Sequence, residues 1–580
     1  MRLILLAGIP GISMARWATE SARLAAERLP ELKGHKIEPV IVEKFFSMSA
    51  IGRSDEPQQR LSSFLDLPPD DLNRVCSDAF ERALQVACDH AQPCAVLCFH
   101  PVLYQSETRL FSAPYSADFV GSHVRARTAD AIFVSLHDDI YDVCRRLQGV
   151  TTAGDLHILH PKRSYKVTAN GSLERDPLRD IQNLLFLLDW RDRELMNSRA
   201  LAAGIPLRHI LFHRKGRPRS FWDIALNNAP AVYFSHPISQ ARRDLTGSGK
   251  KGKSHTTDRE RGKRLMESCN DAADRLDASR VAVVEPTAID ELRLNSKRLS
   301  KVTASQLRQG FLPPLTPRWT LKGTRVDPPD GWNEVDCLSA FAPEATKGVS
   351  WETTSSGVKL LEPAIKILEH EIVRQITVRD HTLTQQAALV VAYHPYSLPD
   401  RPVMTGGVET EIMAMLRKAA SGKPCCRPAI IVIHSKGDEV ERRRKEFELW
   451  WTDVGRSTFA ARERKQVATL KLDLAKLVAD LERTKDRAKA ENEVVLLLER
   501  HRLFPGASGT QVGAMASGEY SDQEAARRDY AHKLVNSSIM RSQLDSIVED
   551  NPGIAEVWYE DEVSDFARKI GDVIAAAHAT

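Results

Sequence analysis

Short apolar runs, each the length of a buried strand, alternate with helix-spaced segments along most of this chain. In the first part they are "LILLA" (3–7), "EPVIVE" (38–43), "AVLCF" (95–99), "AIFVSL" (131–136) and "HILF" (209–212). After a boundary-like "NNAPA" (227–231) the pattern resumes with "AVYFSHPIS" (231–239), "RVAVVEP" (280–286), "ALVVAYHP" (388–395) and "PAIIVIHS" (428–435). Continuous rather than alternating apolar strands must be covered on both faces. That demands parallel sheets with helices on either side, an α/β fold. The spacing predicts two Rossmann-like α/β domains. Their expected limits are 1–228 and 229–442, followed by a helical insertion over 443–552. Residues 553–580 would return as a strand and an amphipathic helix that complete the second domain.

Bulk properties narrow the class. A chain of 580 residues with 42% hydrophobic content can bury two or more cores, and a net charge of +4 is no argument for nucleic-acid binding. No apolar run is long enough to span a membrane. The short N-terminal apolar stretch has no small-residue cleavage site, so it reads as a first strand. The nine cysteines are scattered and lack CxxC spacing. They read as reduced cytosolic thiols rather than a metal site, with Cys425-Cys426 a packing pair. A cytoplasmic location is expected, with no metal and no cofactor. Residues 310–350, rich in Pro, Gly and Trp, read as a long excursion or lid. Leu470, Leu474, Leu477 and Leu481 mark a helix packed on its own domain, and 504–521 a small-residue loop.

Two stretches compete as phosphate loops. "GSGKKGKS" (247–254) fits the letters G-x-x-x-x-G-K-[ST] but runs between polar, charged segments. It reads as a solvated basic loop or, beside a charged substrate, as a lid. "LILLAGIPGISMAR" (3–16) has the right context: a strand, Gly8 and Gly11 for a tight turn, then a helix. There Ser13-Met14-Ala15 replace Gly-Lys-Ser/Thr, so both the phosphate Lys and the Mg²⁺ hydroxyl are missing.

The N-terminal region resembles an adenylate-kinase-type nucleoside monophosphate kinase over roughly 200 residues. "AGIPG" resembles its opening turn. "AVLCFHPVLY" resembles its second conserved strand, with Cys98 at the usual Mg²⁺ Asp and His100 retained. "SLHDDIYDVCRRL" resembles the approach to its lid arginines, here Arg145 and Arg146. With its phosphoryl-transfer groups gone together, no kinase activity is expected. The domain would be structural, or a nucleotide sensor.

The second region resembles the nucleoside 2-deoxyribosyltransferase family, in its 2'-deoxynucleoside 5'-monophosphate N-hydrolase branch. The match rests on "YFSHPISQARRDL" (233–245), "VVEPTAIDEL" (283–292), Arg379-Asp380 before "HTLTQQAALVVA", and "TGGVETEI" (405–412). The resemblance implies cleavage of a nucleotide's base–sugar bond. Glu411 would attack C1' or stabilise its oxocarbenium-like transition state. Asp380 would orient the sugar or assist proton transfer, and Tyr233 would line the site and fix Glu411. Ser235, Ser239, Arg242, Thr405 and the Gly407 turn would hold a 5'-phosphate. Ala388 and Ser239 depart from the family pattern and keep a larger substrate such as NAD open. A homo-oligomer is expected from the same resemblance. By analogy only, such a fusion could suit a nucleotide-depleting defence effector. The rival from another class is a non-catalytic nucleotide-binding scaffold. His236 and His394 read as packed histidines, and Arg191 with Glu194 as an i,i+3 surface pair.

Overall fold

The computed structural model describes residues 2–46, 67–89, 93–105, 110–149, 165–167, 173–175, 177–236, 255–286, 289, 291, 318–319, 325–326, 355–394, 406–423, 426–434, 447–448, 451–452, 459, 464–480, 487–503, 523–535, 548, 550–560 and 565–579. They fall into two compact units. The first holds residues 1–234 and 276–388, the second 235–275 and 389–580. The described residues form a mixed α/β structure, with parallel sheets flanked by helices.

The first unit begins with β1 (Arg2–Ala7), α1 (Met14–Ala25), β2 (Val40–Ile41), α2 (Pro69–Asp89), β3 (Cys94–Phe99) and a small hairpin, β4 (Leu103–Gln105) with β5 (Leu110–Ser112). It continues with α3 (Ala117–Arg127), β6 (Asp130–His137), α4 (Ile140–Gly149), the hairpin β7 (Tyr165–Val167) and β8 (Leu173–Arg175), α5 (Pro177–Gly204), β9 (Arg208–His213), α6 (Pro218–Asn227) and β10 (Ala231–Ser235). The main sheet has the order β2-β3-β1-β6-β9, all parallel. β1 sits at its centre with Leu3 to Ala7 fully buried, as a strand covered on both faces must be. Aromatic side chains fill both layers. Trp17, Phe212 and Phe221 pack under α1 and α6; Phe80, Phe99, Tyr115 and Phe133 pack on the other side. Each indole finds an acceptor: Trp17 donates to the Arg214 carbonyl, Trp190 to that of Val102 and Trp222 to the Ser21 hydroxyl.

The helix α7 (His255–Ala278) lies mostly in the second unit and leads back to β11 (Ala282–Val284), which pairs in parallel with β10. A two-residue pair, β12 (Arg318–Trp319) with β13 (Arg325–Val326), and the long α8 (Ser355–Gln386) follow. The segment 276–388, expected from the sequence to belong with the second domain, lies in the first unit. Side chains of α5 and α8 explain this. Arg374 pairs with Asp192, Arg199 donates to Thr382, and Gln375 joins Arg191 and the Leu188 carbonyl. Gln386 also exchanges two hydrogen bonds with the backbone of Leu211.

The second unit contains β14 (Leu389–His394), α9 (Gly406–Ala420), β15 (Ile430–His434), α10 (Arg464–Asp480), α11 (Arg487–Arg500), α12 (Gln523–Val535), β16 (Ala555–Tyr559) and α13 (Phe566–Ala579). β14, β15 and β16 form a parallel ladder, so the C-terminal strand does rejoin the sheet. Between β15 and β16, α10–α12 build an apolar core of their own around Leu470, Leu474, Val494, Leu498, Tyr530 and Leu534. Leu477 packs on its edge, while Leu481 lies outside the described residues. "EPVIVE" is strand over only two residues, because Val42–Phe45 turn into a 3₁₀ helix. No helix among the described residues is long and apolar enough to cross a membrane.

Two histidines of the first unit, His137 and His213, are buried, and a third, His209, is partly buried. Burial lowers the pKa of His137 despite the neighbouring Glu194. Burial, with Arg199 and His137 nearby, takes His209 down to about 3. Burial, then Arg379, takes His213 well below its usual value. Unfolded rings protonate near pH 6.5, so below that pH the unfolded state binds more protons and stability falls. Each ring should cost up to about 1.4 kcal/mol per pH unit below that point. Thermal unfolding scans at pH 7.5 and 5.5 should show a clear fall in melting temperature, reduced in His209→Gln. An unchanged midpoint would contradict this burial.

Candidate functional site

The degenerate phosphate loop of the first unit has the predicted place. β1 ends at Ala7, the loop turns through Gly8–Ser13, and α1 starts at Met14. Gly8 is required because a Cβ there would lie 2.9 Å from the Leu136 carbonyl oxygen, and Gly11 because its φ is +86°. Ser13 precedes the helix in a left-handed conformation (φ 57°, ψ 52°), and its side chain makes no capping bond. In the strand order, the connections of β1 and β3 leave in opposite directions, which makes the crevice between them the switch point where α/β sheets bind ligands. The protein bridges that crevice itself. The His100 ring Nδ1 lies 2.6 Å from the Gly8 carbonyl oxygen, and the His100 N–H donates to Glu43 at 3.0 Å. Glu43 thus sets a carboxylate beside the loop. Cys98, at the Mg²⁺ position of the kinase pattern, is buried, and burial raises its thiol pKa, so it stays a neutral thiol unsuited to a hard cation.

Among the described residues, three nearby cations are also engaged. At the carboxyl ends of β6 and β9, Lys215 pairs with Asp142 and lies 3.7 Å from both Asp138 and Asp139. Arg214 reaches Asp138 at 3.3 Å, and Arg217 reaches Glu285 at 2.7 Å. The side chains of Arg145 and Arg146 lie outside the described residues.

Beside this edge lies the most buried ionic network described in the unit. Arg191 grips Glu291 with two bonds of 2.6 and 2.9 Å, and also donates to Gln375 at 2.8 Å. Glu291 accepts the Ile140 N–H at 2.8 Å, and its carbonyl accepts the Tyr141 hydroxyl at 3.0 Å. Burial alone would raise the Glu291 pKa, but Arg191, Arg379 and the Ile140 N–H together hold it below the usual range. Arg191 and Glu194 were expected as a surface pair; both are buried and have different partners. Glu194 accepts from Ser198 at 2.7 Å and Ser135 at 3.2 Å, with the His137 ring 3.4 Å away. Helical spacing alone does not reveal which side of α5 faces the core. The buried Leu187, Leu188, Trp190 and Leu195 on either side place Arg191 and Glu194 on the inward face.

The residues of the glycosidase pattern fall in two groups. In the first unit, Arg379 and Asp380 lie near the end of α8. Arg379 pairs with Asp380 at 3.1 Å and donates to the Ile289 carbonyl at 3.1 Å, in the loop after β11. Burial raises the Asp380 pKa against the opposing pull of Arg379, so its carboxyl takes a proton more readily than an exposed one. Tyr233 is fully buried on β10.

In the second unit, Ser235 ends β10 and its hydroxyl donates to the Glu411 carboxylate. Glu411 stands in the second turn of α9, the helix that follows β14. Gly406 and Gly407 are the first two residues of that helix, so the glycine-rich turn opens directly into it. Its first N–H groups have no intrahelical acceptor. His236 is buried at the end of β10. Ser239, Arg242, Thr405 and the basic stretch 247–254 lie outside the described residues. Sequence reasoning gave Ser235 to phosphate and missed its bond to Glu411; two residues separated by 176 positions carry no local signal of contact.

No protein-family model matches the chain, and no curated protein is significantly similar to it.

The Arg191–Glu291 pair gives a stability test. Glu291→Gln or Arg191→Met leaves a buried charge unmatched and should cost roughly 3–5 kcal/mol. The exposed Asp189–Arg193 pair, broken by Arg193→Ala, should cost less than about 1 kcal/mol. Chemical unfolding of the three variants checks the ranking, and equal losses would mean the buried pair is not what holds α5 to the loop after β11.

Proposed function

We propose that the chain hydrolyses the N-glycosidic bond of a nucleoside 5'-phosphate, with Glu411 as the nucleophile. The observation that carries the reading is the bond from Ser235 to Glu411. It sets a carboxylate at the carboxyl end of a parallel strand, the edge where α/β sheets bind ligands. The glycine-led start of α9 lies one and a half turns before that carboxylate. A helix start suits a substrate phosphate.

In the reaction, a Glu411 oxygen forms an ester bond to C1' as the C1'–N bond breaks. The electron pair leaves with the base, which takes up a proton. Water then cleaves the ester, returning the carboxylate and releasing a sugar 5-phosphate. The resemblance gives Asp380 sugar orientation or proton delivery. Its raised pKa supports the second role, since a carboxyl protonated nearer neutral pH can act as an acid.

The first unit serves in this reading as a scaffold without phosphoryl transfer. The absent Lys and hydroxyl of its loop, the His100–Gly8 bridge and the engaged Lys215 support that role.

Purified protein would be incubated with nucleoside monophosphates, deoxynucleotides and NAD, and released bases measured by mass spectrometry. Wild type should release base from a nucleoside 5'-phosphate, and Glu411→Gln should lower the rate at least about a hundredfold. Asp380→Asn should lower it less. Release of nicotinamide alone would move the substrate to NAD. Equal release by Glu411→Gln would remove Glu411 from the chemistry.

A further inference from the structure

We propose that Ser235 is a positioning residue for Glu411 and not a phosphate ligand. The inference rests on the glycosidase reading and assigns within it the group that orients the nucleophile. Ser235 is fully buried at the end of β10, on a backbone held in the sheet, and its hydroxyl donates to Glu411. A serine hydroxyl carries one hydrogen to donate. That hydrogen is committed to the carboxylate, so none remains for a phosphate dianion, which offers only acceptors. The hydroxyl's lone pairs would repel phosphate oxygens.

The same bond does what a glutamate nucleophile on a helix needs. A glutamate side chain turns about three single bonds and rotates freely when nothing holds it. A donor fixed on a strand removes much of that freedom before substrate arrives. Alignment for attack on C1' then depends on a strand residue far away in sequence. A 5'-phosphate would be bound by other groups, so the contribution of Ser235 is the same for substrates with and without a phosphate.

Ser235→Ala, Ser235→Cys and Ser235→Thr, with Glu411→Gln alongside, would be assayed on a nucleoside 5'-monophosphate and on the matching nucleoside. Thermal unfolding would check that each folds. Cysteine preserves the volume with a much weaker donor, so it tests the bond even where alanine disturbs the strand. The expected result is kcat lowered about tenfold or more in the Ala and Cys variants, with KM within about twofold. The proportional loss should match on both substrates, and threonine should restore most of the rate. A rise in KM confined to the phosphorylated substrate would overturn the proposal and return Ser235 to the phosphate. Wild-type kinetics in Ser235→Ala and Ser235→Cys would overturn it also. Glu411→Gln separates the two levels. If that variant is inactive while the serine variants are normal, only the positioning role falls. If that variant is active, or wild type releases no base, the glycosidase reading falls and the positioning role with it.

Discussion

The first unit depends on one buried charge pair. Arg191, on α5, is held by Glu291, which lies 100 residues later in the chain. Through this contact α5 is joined to the loop after β11, to the start of α4 and, by way of Gln375, to α8. An arginine and a glutamate removed from water cost several kcal/mol each unless their hydrogen-bonding groups are matched. Here the two-bond grip, the Ile140 N–H and the Gln375 amide supply much of that matching. Such a pair adds little net stability over an apolar replacement. It does make wrong packings of α5 and α8 costly, since each would strand a charge.

The same principle separates the first unit's loop edge from the glutamate of the second unit. Around the degenerate phosphate loop, Arg214 and Lys215 lie against the protein's own carboxylates, and His100 closes the crevice onto Gly8. A phosphate arriving there would have to displace those partners and approach Glu43. In the second unit the engaged group is a carboxylate, held by a neutral hydroxyl. A hydroxyl orients a carboxylate without itself cancelling the charge. A lysine in the same place would neutralise it.

Much of the architecture was legible in the sequence because it is written in local patterns. Continuous apolar runs set β1, β3, β6, β9, β14 and β15, since only strands covered on both faces tolerate them. Gly8 and Gly11 marked a turn that a side chain would obstruct. The position of Glu411 early in a helix and of Asp380 ahead of a strand followed from the same periodicity. The strand "EPVIVE" was overestimated because Val42–Phe45 curl into a 3₁₀ turn, although their composition suits a strand. The grouping of α8 with α5 left no local trace, for a different reason. α8 is contiguous in sequence with β14 but its side chains pair with α5.

The sequence by itself determined the α/β class, the main strands of the parallel sheets, the loss of phosphoryl-transfer groups at Ser13-Met14-Ala15, and the candidate carboxylates. Those properties reside in single residues or in spacings of a few positions. Only the tertiary structure decided which of these groups meet: Arg191 with Glu291 rather than with a surface neighbour, His100 with Gly8, Ser235 with Glu411. Each of these pairs is about 90 or more positions apart in sequence. Their contact is set by sheet order and helix packing, which no local period encodes.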